Sequence, residues 1–216
     1  MNLDWINKDE HSVIYVGDTM CSWCYGFAPE MDKFIKSHPE LKVRLVQGGL
    51  RPGNTELIYG LQDFLLSHWK EIEQKTNQPF KYGILKNQTF VYDTEPASRA
   101  VIVARMIDET KEWDFFKKVQ IAFYKENKDT SKIDTYLEIA KEMGLDEKKF
   151  AELFDTDEAK YGTKSDFQLA NEMGVKGFPS VVIKMKDQFF MISNGYREVK
   201  ELEEVYQRVL KEVESK

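Results

Sequence analysis

The sequence predicts an α/β chain in which a mixed sheet flanked by helices is interrupted by a long, all-helical stretch. Three observations predict it. The chain opens on a strand–helix–strand pattern, it closes on a strand–strand–helix pattern, and the residues between carry helical periodicity alone.

Ser12 to Val16 (SVIYV) is short, β-branched and aromatic, and is closed by Gly17-Asp18, which reads as a buried strand. Past Cys24, the apolar residues Phe27, Met31, Phe34 and Ile35 recur at helical spacing to about Lys36. Pro29 falls inside that helix and is expected to remove one backbone hydrogen bond and kink it. Leu41 to Val46 alternates apolar and charged residues and runs into Gly48-Gly49, a second strand.

The middle is helical throughout. Leu57, Leu61, Phe64, Leu65, Trp69 and Ile72 make one stripe. Asp93-Thr94-Glu95-Pro96 reads as a helix start, with a capping side chain and a proline in the first turn. Ala97, Ala100, Val101, Ala104 and Ile107 follow it as a small-residue face. Further stripes run through Phe116–Tyr124, Ile133–Met143 and Phe150–Phe154. Residues 157–173 form a helix closed by Gly174, and Ser180–Met185 with Gln188–Ser193 form a hairpin around Lys186-Asp187. An amphipathic helix from Val199 to Val213 ends the chain. The reading divides the chain into a sheet-bearing unit of 1–50 and 157–216 and an inserted helical domain of 51–156.

Composition narrows the function. The 216 residues are 42% hydrophobic and 31% charged, with a formal net charge of -6. An acidic surface without a basic block argues against nucleic acid as a partner. No apolar run reaches the ~20 residues that span a bilayer, so no membrane role is expected. The first residues lack a cationic start and a long apolar stretch, so the chain reads as cytoplasmic. The two cysteines stand three apart, which in a reducing compartment points to redox chemistry or a metal rather than a disulfide scaffold.

Cys21 falls where the first strand gives way to the helix. A thiol at a helix N-terminus is stabilised as thiolate by free backbone N–H groups and the helix dipole. Cys24 lies one turn further in, within disulfide reach. Cys21 is therefore the attacking sulfur and Cys24 the resolving one. Half a zinc site is the competing reading, but no second cysteine pair or paired-histidine motif completes four ligands, so no metal and no cofactor are expected. An inert structural disulfide is another. Trp23 beside Cys21 either contacts substrate or merely shields the sulfur. Asp18 either accepts a proton from Cys24 or caps a turn, and Ser22 is a supporting residue. His11, His38 and His68 read as surface or packing residues. Gly177-Phe178-Pro179-Ser180 precedes the apolar strand VVIKM, and a cis bond is expected at Phe178–Pro179.

With Asp18-Thr19-Met20-Cys21-Ser22-Trp23-Cys24-Tyr25-Gly26-Phe27, the Asp93–Ala104 helix start and Gly177–Ser180 in hand, the chain resembles the DsbA-like branch of the thioredoxin superfamily. It looks most like the FrnE-related bacterial predicted protein-disulfide isomerases with a DxxCxWCYG-type motif. The resemblance implies a thioredoxin-like fold with a helical insertion. It also implies that Phe178 and Pro179 face the CxxC pair and bind substrate. The periplasmic oxidants of that branch carry a histidine between the cysteines, where this chain has Ser22-Trp23. Related glutathione-dependent isomerases and kappa-class transferases commonly have serine where Cys21 stands.

The expected function is thiol–disulfide exchange, with thiols and disulfides of proteins or small molecules as partners and glutathione among the candidates. A redox-sensing adaptor that binds clients without turnover, and a glutathione-dependent small-molecule isomerase or transferase, are the alternatives.

Overall fold

The computed structural model describes residues 9–215. Residues 1–8 and 216, which the sequence reading assigned to the sheet-bearing unit and to the N-terminal start, lie outside the described residues.

Four strands form one sheet: β1 (His11–Gly17), β2 (Lys42–Gln47), β3 (Ser180–Met185) and β4 (Gln188–Asn194). Their order is β2-β1-β3-β4. β1 pairs parallel to β2 and antiparallel to β3, and β3 pairs antiparallel to β4. The sheet is mixed because β1 and β2 are joined through a helix, whereas β3 and β4 are joined by a tight turn. That helix is α1 (Ser22–Ser37), with Pro29 inside it.

Beyond exposed His11, β1 is buried on both faces, which is why Val13–Val16 are continuously apolar rather than alternating. Period two still decides what each residue meets. Val13 and Tyr15 join the main core with Phe27, Phe34, Trp69, Phe116 and Tyr206. Ile14 and Val16 point the other way, to Val46, Val182, Leu169 and Ala170. Each such buried side chain contributes ~1.5–3 kcal/mol.

The helices after β2 are α2 (Gln62–Thr76), α3 (Glu95–Ile107), α4 (Glu112–Tyr124), α5 (Ile133–Glu142) and α6 (Glu147–Phe154). Then come α7 (Asp157–Glu172) and, after β4, α8 (Val199–Glu214). The side-chain oxygens of Asp146 and Thr156 accept from the backbone at the starts of α6 and α7. A capping box of Glu198 and Glu201 opens α8.

The stripe read as one helix from Leu57 is split. Leu57 makes an isolated antiparallel bridge to Val91, Ile58–Leu61 is a 3-10 turn, and α2 begins at Gln62. The changed pitch leaves Leu65, Trp69 and Ile72 inside but puts Phe64 at 67% exposure. At α3, Thr94 does not cap. Asp93 accepts from the Glu95 N–H at 2.9 Å, and Thr94 is bonded elsewhere.

Apart from that bridge, residues 58–154 contribute helices and turns. We propose the division at 50/51 and 156/157 as the organisation of the chain. The confinement of paired strands to the outer segments supports it, although sheet and helices share one apolar core.

Candidate active site

Antiparallel register builds the site. Val16 pairs with Ser180, so the turn that follows β1 and the loop that precedes β3 meet at the same end of the sheet. The turn carries Asp18 to Cys21 and the loop carries Phe178 and Pro179. The Phe178–Pro179 peptide bond is cis.

Cys21 is the N-cap of α1, in extended conformation, and its carbonyl accepts the first helical hydrogen bond from Tyr25 N–H at 3.1 Å. Its sulfur therefore sits where the helix leaves backbone N–H groups without helical partners. Cys21 is 7% exposed, and its Sγ lies 3.7 Å from the Phe178 carbonyl oxygen. Cys24 is fully buried one turn below. Both are free thiols. Burial pushes the Cys24 thiol up, and the neighbouring Cys21 adds to the rise; the Asp18 N–H and the Tyr15 hydroxyl pull the other way.

Asp18 is fully buried. Its carboxylate accepts from Met20 N–H at 2.8 Å, Leu50 N–H at 2.7 Å and the Thr94 hydroxyl at 3.0 Å. These donors lower its pKa, but burial outweighs them and pushes it up to about 6. The carboxylate thus ties the cysteine turn to the loop after β2 and to the head of α3. Ser22 is buried as the first residue of α1.

Trp23 is half-buried. Its ring packs against His68 at 6.1 Å and Tyr196 at 5.9 Å, and His68 in turn stacks on exposed Phe64. The Phe178 ring lies over Gly48, where a Cβ would come within 2.2 Å of it. Pro179 is fixed behind it, its carbonyl accepting from Gly195 N–H at 2.7 Å.

Sequence reasoning missed the residues that hold the turn from the helical side. The Met20 carbonyl accepts two buried hydroxyls, Tyr92 at 2.9 Å and Tyr124 at 2.6 Å. Burial raises both phenols, so they remain protonated donors. The one signal was chemical. A tyrosine in a phenylalanine stripe carries a hydroxyl that needs a partner. His38 stands apart, between Glu40 and Glu203. Among the described residues, no group of three or more His, Cys, Asp or Glu gathers to hold a metal ion, and no helix is long and apolar enough to cross a membrane.

A CxxC pair at the mouth of the first helix, faced by a loop entering an antiparallel strand of a mixed four-stranded sheet, defines a thioredoxin-fold protein of the oxidoreductase class. The profile of the DSBA-like thioredoxin domain matches residues 12–207, and the chain belongs to that family. A candidate protein disulfide isomerase from Nitrosomonas europaea is 32% identical, with a TM-score of 0.87, covering 94% of this chain and 99% of its own. The cytosolic disulfide reductase DsbM from Pseudomonas aeruginosa is 25% identical, with a TM-score of 0.78, covering 93% and 98%. The same reductase with GSH gives a TM-score of 0.75 at 25% identity, covering 93% and 99%. A search of curated proteins returns no match.

Proposed function

We propose that this chain exchanges protein or small-molecule disulfides through Cys21 and Cys24. Cys21 attacks a substrate disulfide, a mixed disulfide forms, and Cys24 attacks the Cys21 sulfur to release the product as a thiol. The observation that carries this reading is the contrast between the two sulfurs. Cys21 lies at the helix mouth, 3.7 Å from a backbone carbonyl of the opposing loop, and Cys24 is sealed beneath it. The Phe178 backbone then pairs with an extended substrate, with Pro179 fixing the loop and Trp23 lining the approach. Asp18 and Ser22 support the turn.

Insulin reduction tests it. The wild-type chain turns over insulin disulfides and Cys21→Ser does not; equal rates for the two would end the reading. An adaptor without turnover would bind a disulfide client yet leave it intact in both forms.

Glutathione is the thiol partner we propose. The support is that DsbM, 25% identical over 93% of this chain, has a structure with GSH. A cytoplasmic setting belongs to the same proposal, supported by the cytosolic naming of DsbM and the single close-spaced cysteine pair. Turnover sustained by glutathione and glutathione reductase is the expected result. Turnover with dithiothreitol alone would remove glutathione and keep the disulfide exchange.

A further inference from the structure

Tyr15 lies in the middle of β1, and its ring is enclosed by Trp113 at 5.0 Å, Phe116 at 5.7 Å and Phe27 at 6.1 Å. The residue is completely buried. Its hydroxyl is sealed from solvent and meets no partner at full hydrogen-bond geometry among the described residues. A phenol placed this way leaves a donor unused in a dry core, which is costly unless some state of the protein uses it.

The polar atom beside it is the sulfur of Cys24. A methyl group on Gly17 would lie 2.4 Å from Tyr15 Cε1, 3.2 Å from Tyr15 Cζ and 3.1 Å from Cys24 Sγ. Ring and sulfur therefore converge on one point, left open by the absent side chain of Gly17. A thiol is a weak acceptor, so the resting dithiol leaves the hydroxyl unsatisfied. A thiolate is a strong one.

We propose that Tyr15 is a positioning residue for the second half of the exchange, donating its hydroxyl hydrogen bond to the Cys24 thiolate as that thiolate forms. The proposal rests on the reading of Cys24 as the resolving cysteine. In the step concerned, Cys24 loses its proton and its sulfur attacks Cys21 Sγ of the mixed disulfide. The Cys21–Cys24 bond forms, the bond from Cys21 to the substrate sulfur breaks, and the substrate thiolate leaves and takes up a proton. The cysteine pair is oxidised by two electrons and the substrate disulfide is reduced. Tyr15 keeps its own proton throughout; burial, and then the neighbouring sulfurs, raise its pKa far too high for it to act as a base.

The acid–base neighbours of Cys24 come from its own helix mouth and from three other elements. Cys21 belongs to its own helix mouth, Asp18 to the turn, Tyr15 to β1 and Tyr124 to α4. Of these, Tyr15 is the side-chain hydroxyl left without a bond, since Tyr124 already donates to Met20 and the Asp18 carboxylate is occupied.

Single turnover with 5,5′-dithiobis(2-nitrobenzoate), the protein in excess, separates the steps. The first thionitrobenzoate reports attack by Cys21, and the second reports its displacement by Cys24. Cys24→Ala stops after the first. For Tyr15→Phe the first release stays within about twofold of wild type, while the second slows about tenfold and its pH midpoint moves up, the scale of a hydrogen bond to a charged group. Tyr15→Phe deletes only an unsatisfied polar atom, so it folds at least as well as wild type. Gly17→Ala keeps the hydroxyl but fills the point where ring and sulfur meet, and it also slows the second release. An unchanged second release in either folded variant, or equal slowing of both releases in Tyr15→Phe, overturns the proposal. Absence of a second release in the wild type would instead overturn the resolving role of Cys24 itself.

Discussion

The Thr94 hydroxyl donates to the Asp18 carboxylate at 3.0 Å, joining the head of α3 to the turn that carries Cys21. The same Thr94 oxygen accepts the Arg51 N–H at 3.0 Å. Thr94 is thus spent on the site rather than on capping its own helix.

Burial of the Asp18 carboxyl sets a pH prediction. Asp18 has an ordinary pKa of 3.8 and is pushed up to about 6 in the fold, mainly by burial. Between these values the folded chain holds a proton that the unfolded chain has released. The contribution of the protonated acid is therefore complete below pH 3.8 and is lost as pH rises through about 6, a change of ~3 kcal/mol. Asp18→Asn removes that dependence. Urea unfolding at several pH values checks it through the difference between wild type and variant, which should slope between pH 4 and 6 and be flat above. A parallel pair of curves across that range would contradict the burial argument.

Alkylation should find the two cysteines in order. Cys21 is 7% exposed and Cys24 is not exposed at all. A short, substoichiometric pulse of iodoacetamide, read by mass spectrometry, should label Cys21 first. Labelling of Cys24 ahead of it would reverse the roles we propose.

A buried ion cluster locks the helices to the edge of the sheet. Arg105 donates from Nη1 and Nη2 to both Asp166 oxygens, from Nε to Glu112 at 2.6 Å, and from Nη2 to the Leu45 carbonyl at 2.7 Å. Two carboxylates share this guanidinium, and burial pushes Glu112 up to about 7. Arg105→Met leaves them facing each other without a cation in between, at a cost of about 3–5 kcal/mol. The loss should be smaller at pH 5 than at pH 8, because Glu112 then takes up a proton more readily. Chemical denaturation at the two pH values measures both effects.

The sequence showed the four strands through short β-branched apolar runs, one apolar–charged alternation and the glycines or turn residues that close them, and the CxxC spacing marked Cys21 and Cys24; that Phe178 and Pro179 face the pair was implied by the family resemblance. Phe64 and Leu57 were read as one helical face with Trp69, since a 3-10 turn and an isolated bridge leave no mark in an apolar count. Tyr92, Tyr124 and Thr94 were invisible as site residues. Their bonds to Met20 and Asp18 reach across 72, 104 and 76 positions and follow from how helices pack, not from any spacing.

The last prediction concerns the loop that faces the Cys21 sulfur. Gly48 ends the run after β2, its N–H donating to the Gly17 carbonyl at 2.7 Å, and the Phe178 ring rests on its bare Cα. A Cβ at position 48 would stand 2.2 Å from Phe178 Cε1 and 2.3 Å from Cζ, inside any tolerable contact. Gly48→Ala therefore forces the ring away, and the ring is attached to the residue whose carbonyl lies 3.7 Å from Cys21 Sγ. Overpacking of this kind costs about 1–3 kcal/mol. The variant should also reduce insulin more slowly, while its reaction with a small disulfide reagent, which needs no backbone pairing, changes less. Phe178→Ala alone loses packing over Gly48 but keeps the loop backbone. In the double variant the added methyl has no ring to meet, so its stability loss should fall short of the two single losses together by ~1 kcal/mol, the scale of coupling between touching side chains. Additive losses would mean that Gly48 and Phe178 do not bear on each other, and that the loop carbonyl is positioned by Pro179 and β3 alone.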